Sequence, residues 1–465
     1  MTTTRARTGP LTDTQRQLWA LSHRVSPAAL NLSYALLVAG PLAVDALRAA
    51  VSDVVGEFET LRTRYPRRND VPIAEVHDPE PVDLSRAPVH DLPAAADAAW
   101  RHRAACFDLA ADPALRVRLL ELGGDRRVLL LTLPHIAADG WSLHLLAERL
   151  SLAYAARLRD HSPPPTVRTA ECLEVAAAQH DWLASAAATA ELDWWTDHLA
   201  SATPPAGPPA PLESTTHRRA IVLPAPLTGE LRALARGANV SLYALLLTAF
   251  GAVLRLRAPD RPRPVIGTLA ANRPTLAAAG VLGAHYNGLL LNPDLTGEPS
   301  LAECLFRTAN TTVRALDHQR LPYRFVVDEL RRRFGWRTGV PDAIFVLDRY
   351  PMEALRLAGC AVTGLCQDPF RPVPVVAAAD PTVFVREAGE RITVTAFGDP
   401  AALPGLLATY LDTLVVLCES IETEIGELCW RAEDPAYVPA TALGPVTEAS
   451  PADALSPLGY PEGVR

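Results

Sequence analysis

Between Val128 and Leu150 the hydrophobic period of the chain changes, and this change constrains the fold more than any other stretch. Val128 to Leu133 is an apolar run suited to a buried strand. Pro134 stops it. His135, Asp139 and Gly140 follow, and helical spacing resumes at Leu143, Leu146 and Leu150. The pattern predicts a strand end, a short loop displaying one imidazole and one carboxylate, and a helix start. Catalytic groups favour such loops because the flanking elements hold them rigid.

The 465 residues are too many for one simple core and predict two to three domains. Net charge is -8 and the pI is near 5.9, which argues against a general nucleic-acid binder. The N-terminal MTTTRARTGP has no apolar signal core, and no run reaches the ~18 apolar residues of a membrane span. Neither nucleic acid nor membrane is therefore an expected partner. Seven cysteines are scattered without a CxxC pair, so neither a zinc knuckle nor a disulfide framework is indicated. A reducing cytoplasm is the expected location.

Taken in order, residues 1–10 read as a loose N-terminus. Thr12 or Asp13 can cap a helix carrying Leu18 and Trp19. Asn31 to Val38 reads as a strand, and Leu42 to Val55 as an amphipathic helix running into EFETLRTRY. A helix is predicted from Ala94 to Leu109. Two strands follow, Leu115 to Leu120 and Arg127 to Leu133, joined by a Gly123-Gly124-Asp125 turn. Residues 171–200 read as one helix. The Pro-rich, charge-poor segment 201–215 is the best interdomain linker. The second half repeats the first in element order, with strands near Arg218, Val265, Ala343, Val383 and Arg391, the segment GAHYNGLLL over 283–291 left unassigned, and helices at Ser241, Ser300 and Leu403. Beyond Ala432 a Pro/Gly-rich tail is expected to be poorly ordered. The fold class is α/β, a pseudo-dimer of two halves. The expected divisions are 11–180, 181–215 (interlobe helix and linker), 216–432 and the tail 433–465.

His135 is the most plausible proton-handling residue, because an imidazole gains or loses a proton near neutrality. Asp139 can orient it or pair elsewhere to hold the loop. Gly140 leaves room for close approach. No activated nucleophile stands out: GxSxG is absent, and Ser142 lacks a visible base. One His and one Asp without companion ligands predict no metal site. On these residues alone, a structural histidine at a strand end fits as well as a chemical one.

LPHIAADGWS resembles the HHxxxDGxS core motif of nonribosomal peptide synthetase condensation domains, members of the chloramphenicol-acetyltransferase-like superfamily. Five further segments resemble motifs of that family in its order: LTDTQRQLWAL (11–21), EFETLRTRY (57–65), GVLGAHYNGLLL (280–291), DHQRLPYRFVVDEL (317–330) and PDAIFVLDRY (341–350), the last carrying a bridging element. The resemblance covers about residues 10–430. It implies two acetyltransferase-like lobes in a V around a central tunnel, with a floor loop and a latch.

It further implies acyl transfer from a peptidyl or acyl carrier protein to an amine or hydroxyl. The donor is a 4'-phosphopantetheine thioester of the carrier, and the enzyme itself binds no cofactor. The acceptor is held by a second carrier or is a free small-molecule amine or alcohol. His135 takes the position of the reactive histidine. Asp139 is expected to pair with Arg273 and support the loop. Gly140, Trp141, Ser142, His285 and Asn287 are expected to line the tunnel. Arg320 and Arg324 are candidates for phosphopantetheine contact. Arg331, Arg332 and Arg333 are candidates for carrier docking or, alternatively, a solvated face.

The chain departs from the family where Pro134 stands for the first motif histidine, where Ala284-His285-Tyr286 precedes Asn287, and where Arg324 replaces an acidic residue. The alternatives are a catalytically silent module that recruits a partner, suggested by Pro134, and a CoA-dependent acyltransferase of the same superfamily. The expected protein is monomeric, either a free-standing condensation enzyme or an excised domain.

Overall fold

The protein is described by a computed structural model over residues 6–164, 170–205, 217–273, 275–336, 341–349, 355–365 and 379–428, with short strand pieces between 440 and 448. The segment 206–215 of the expected linker and most of the tail lie outside these residues.

The first half is built on a five-stranded sheet in the order Ala361–Leu365, Asn31–Ala39, Arg126–Pro134, Arg116–Gly123, Leu84–Pro88. All pairings are antiparallel except the last, which is parallel. The strand Arg126–Pro134 is covered on both faces, which accounts for its apolar run. Leu129, Leu131 and Leu133 pack in the cluster that includes Leu47, Val51, Leu143 and Leu146, from the helices Val44–Glu57 and Gly140–Arg157. Val128 and Leu130 face Ala95 and Ala99 of the helix Leu92–Ala104. Strand alternation thus serves two apolar layers at once.

The second half has a seven-stranded mixed sheet, Asn287–Leu291, Ile266–Ala270, Ala343–Arg349, Thr382–Ala388, Arg391–Gly398, His217–Val222 and Thr447–Glu448. Its core takes the helices Leu242–Arg257 and Leu403–Glu419, with Phe250, Phe345 and Tyr410 among the largest buried side chains. Among the described residues no single helix is long and apolar enough to cross a membrane.

Four expectations are corrected. The helix predicted to Leu109 ends at Ala104, because Asp108 turns the chain: its carboxylate accepts from the Ala110 N–H at 2.9 Å, and its own N–H donates to Asp112 at 2.9 Å. The helix predicted over 171–200 is two helices, Cys172–Leu183 and Ala186–Leu199, broken where Ser185 donates its hydroxyl to the Trp182 carbonyl at 2.6 Å. The bridging element is not the strand Ala343–Arg349, which sits inside the second sheet. It is Ala361–Leu365, which leaves the second half and pairs with Asn31–Ala39 at the edge of the first sheet. Finally, Thr447–Glu448 of the tail pairs with Ile221 and Val222.

Candidate functional site

The strand Arg126–Pro134 ends at Pro134, which is buried and registered against Asn31. A single turn of 3-10 helix, His135–Ala137, follows. Asp139 then caps the helix Gly140–Arg157 by accepting from the Ser142 N–H at 2.9 Å. An anionic cap also suits the positive end of the helix dipole. The predicted strand, loop and helix are therefore in place, and His135 is half-buried at their junction.

Among the described residues, the imidazole is hydrogen-bonded on one side only. Its Nδ1 lies 2.8 Å from the Ala138 carbonyl oxygen. A carbonyl oxygen accepts and never donates, so Nδ1 carries the proton. In the neutral ring the lone pair is then on Nε2. The ring also meets Tyr286, with centroids 5.2 Å apart and planes at 37°.

Asp139 is the hub of the loop and is almost wholly buried. Arg273 grips it with both terminal nitrogens, Nη1 to Oδ2 at 2.8 Å and Nη2 to Oδ1 at 3.0 Å. The backbone N–H groups of His285 and Tyr286 donate to Oδ2 at 3.0 and 3.2 Å. Arg273 also donates to the carbonyls of Ala271 and Gly283. Burial alone pushes the carboxyl pKa up, but the charge and hydrogen bonds of Arg273 outweigh it and hold Asp139 below the usual carboxylate range. One carboxylate from the first half thus ties down the segment 273–286 of the second half. Further bonds cross the same junction: Thr60 donates to the Leu282 carbonyl at 2.6 Å, and Thr14 to the Tyr286 carbonyl at 2.9 Å.

The residues expected to line a tunnel divide. Gly140 is exposed, and a Cβ there would meet nothing within 4 Å. Trp141 is 43% exposed and donates Nε1 to the Ala279 carbonyl at 2.8 Å, so its indole ties the helix start to the second half. Ser142 lines nothing. It is fully buried, its hydroxyl lies 2.8 Å from both Asp139 Oδ1 and the Gly283 carbonyl, and it accepts from the Gly283 N–H at 2.9 Å. Asn287 is likewise consumed by backbone. Its amide donates to the carbonyls of Gln319 and Leu321 at 2.8 and 2.7 Å, and its Oδ1 accepts from the Tyr323 N–H at 3.0 Å. His285 is buried, with Nε2 unpartnered among the described residues. Burial and the Arg273 charge lower its pKa to about 4, so the ring is neutral. A Cβ on Gly283 would fall 2.5 Å from that Nε2, which explains the glycine.

The arginines do not form a free basic patch. Arg320 lies over the Trp182 ring at 4.4 Å, and Arg324 pairs with Asp13 across the junction. Arg331 pairs with Asp328 at 3.3 Å, Arg332 with Glu329 at 2.5 Å, and Arg333 with both Glu329 and Asp193 at 2.5 and 2.7 Å. Their charges are met by neighbouring acids on a solvated face. Sequence reasoning missed the contact of Tyr286 with His135; the aromatic residue directly before Asn287 was the available signal.

Asn287→Asp is expected to destabilise the protein by about 1–3 kcal/mol, because the new carboxylate would face two carbonyl oxygens that now receive N–H groups. Urea midpoints of the two proteins measure this, and equal midpoints would contradict the bracing role.

The sequence profile of condensation domains matches residues 5–359. Phosphinothricin tripeptide synthetase PhsB of Streptomyces viridochromogenes is 34% identical over 345 residues, covering 70% of this chain and 28% of that protein. The chain thus spans well under half the length of this relative. Among solved structures, the X-domain from teicoplanin biosynthesis superposes with a TM-score of 0.76 at 22% identity, covering 92% of this chain and 98% of that one. The first condensation domain of the calcium-dependent antibiotic synthetase, in complex with a substrate analogue, gives 0.75 at 20% identity, covering 92% and 99%. The fold is accordingly a V-shaped pseudo-dimer of two chloramphenicol-acetyltransferase-like lobes. With most of its length matched by one family profile, the chain belongs to the condensation domain family.

Proposed function

We propose that the protein transfers an acyl or aminoacyl group from a carrier-protein phosphopantetheine thioester to an amine or hydroxyl, in the biosynthesis of a nonribosomal peptide or hybrid product. The observation that carries this reading is the tethered imidazole, with Nδ1–H on the Ala138 carbonyl and Nε2 left as a lone-pair acceptor. The acceptor nitrogen or oxygen attacks the thioester carbonyl carbon while Nε2 takes its proton. Collapse of the tetrahedral species breaks the C–S bond, and the imidazolium returns the proton to the departing sulfur. Holding both substrates at one imidazole supplies much of the remaining rate enhancement.

Asp139 and Arg273 act by fixing the loop rather than by touching substrate. Membership of a family found in peptide synthetases such as the phosphinothricin enzyme supports the carrier-borne donor. A second reading, a silent recruiting module, is favoured by Pro134, which removes one imidazole from the loop. Incubating the protein with acyl-loaded carrier and a panel of amines and alcohols separates the two. The transfer reading expects loss of the acyl mass from the intact carrier together with a new amide or ester; the recruiting reading expects neither. An acyl-CoA arm tests the CoA-dependent alternative.

A further inference from the structure

A cavity of about 360 Å³ opens at the edge of the first sheet, away from the residues around His135. Its walls come from the strands Arg116–Gly123 and Leu84–Pro88, the turn after Leu61, and the end of the helix Leu92–Ala104. Four guanidinium groups line it: Arg62, Arg64, Arg116 and Arg118. Two of them are occupied, Arg64 by Glu80 at 2.8 Å and Arg116 by Asp112 at 2.8 Å. Arg62 is partly met: its Nη1 donates to the His77 carbonyl at 2.5 Å, and Glu59 lies 4.0 Å away. The Nε–H groups of Arg62 and Arg118 are buried and have no hydrogen-bond partner, and Arg118 has no ion pair among the described residues. Asp78 and Asp83 also line the cavity, and both residues are exposed.

We infer that this cavity binds a small oxyanion, a carboxylate or a phosphate, through Arg118 and Arg62. A buried donor without a partner is costly, and a guanidinium edge matches a planar carboxylate or a phosphate in two parallel hydrogen bonds. His102 lies on the same wall. Its Nδ1 is 2.8 Å from the Thr132 hydroxyl, which in turn lies 2.7 Å from the Ser33 hydroxyl. Burial and the charges of Arg116 and Arg118 lower its pKa to about 4, so it stays neutral beside them. That depression shows the positive charge of Arg116 and Arg118 reaching the ring. A bound oxyanion would neutralise the field and ease protonation of His102.

Calorimetric titration of the whole chain with inorganic phosphate and, separately, with acetate against a chloride-matched control tests the site. Saturable binding of at least one probe is expected, weakened at least tenfold in Arg118→Gln and unchanged in Arg232→Gln, whose side chain pairs with Glu387 in the second half. Binding of acetate alone assigns a carboxylate, and binding of phosphate alone a phosphate. In the unsubstituted protein, the His102 titration followed by NMR is expected to move to higher pH when the probe is present. No binding beyond chloride, binding that survives in an Arg118→Gln/Arg62→Gln protein, or an unmoved His102 titration under saturating probe would each overturn the assignment.

Discussion

His135→Ala is expected to lower acyl transfer by roughly 10²–10⁴-fold, the usual contribution of a positioned general base. The fold should survive the change. The imidazole is half-buried and, among the described residues, makes one hydrogen bond, to the Ala138 carbonyl. The loop is held elsewhere, by Asp139 accepting from Ser142, His285, Tyr286 and Arg273. Loss of the single bond costs about 0.5–1.5 kcal/mol. The informative comparison is therefore initial rate against thermal midpoint in the same preparation. A large fall in rate at a nearly constant midpoint places the imidazole in the chemistry. An unchanged rate would remove it.

The opposite signature is expected for Arg273→Ala: a loss of stability of about 3–5 kcal/mol, the cost of leaving one member of a buried ion pair alone. Both side chains are almost fully buried. The same change also removes the Arg273 hydrogen bonds to the carbonyls of Ala271 and Gly283. Because the pair joins the two lobes, activity should fall with it, but through the position of His135 and Tyr286 rather than through proton transfer. Replacing Asp139 and Arg273 together by apolar residues should cost less than the sum of the single changes, and a double-mutant cycle in urea measures the difference. Additive losses would contradict direct pairing. The pH dependence has a fixed sign. The folded-state pKa of Asp139 lies below its unfolded value, so its stabilisation is fully present above the unfolded carboxylate pKa of about 3.9 and is lost as pH falls through the lower, folded value. Asp139→Asn should flatten the stability profile in that acid window and leave its slope near neutrality unchanged.

The strand, loop and helix around His135 were legible because hydrophobic period is a local signal, and Val128 to Leu150 carries both periods in one stretch. The Asp139–Arg273 pair, 134 residues apart, was legible only through family resemblance. Three features were hidden for physical reasons. Ala361–Leu365 joins the first sheet across more than 300 residues; its residues are half-buried or exposed, so no local hydrophobic pattern announces the crossing. Ser142 and Asn287 have polar groups that serve substrate or backbone equally well on paper, and only the folded chain shows the carbonyls and N–H groups that occupy them. The arginine run 331–333 was half legible. Glu329 sits three and four residues before Arg332 and Arg333, a spacing that pairs charges on one helical face. Asp193, the other partner of Arg333, comes from a separate helix and leaves no such trace.

Acyl transfer through His135 depends on which ring nitrogen carries the proton. Nitrogen-15 NMR of the imidazole in the resting protein, assigned against His135→Ala, measures it directly. The prediction is that the neutral form carries its proton on Nδ1, with Nε2 showing the shift of an unprotonated nitrogen and responding to an added amine acceptor. A ring protonated at Nε2 alone would contradict both the hydrogen bond to Ala138 and the proposed direction of proton transfer.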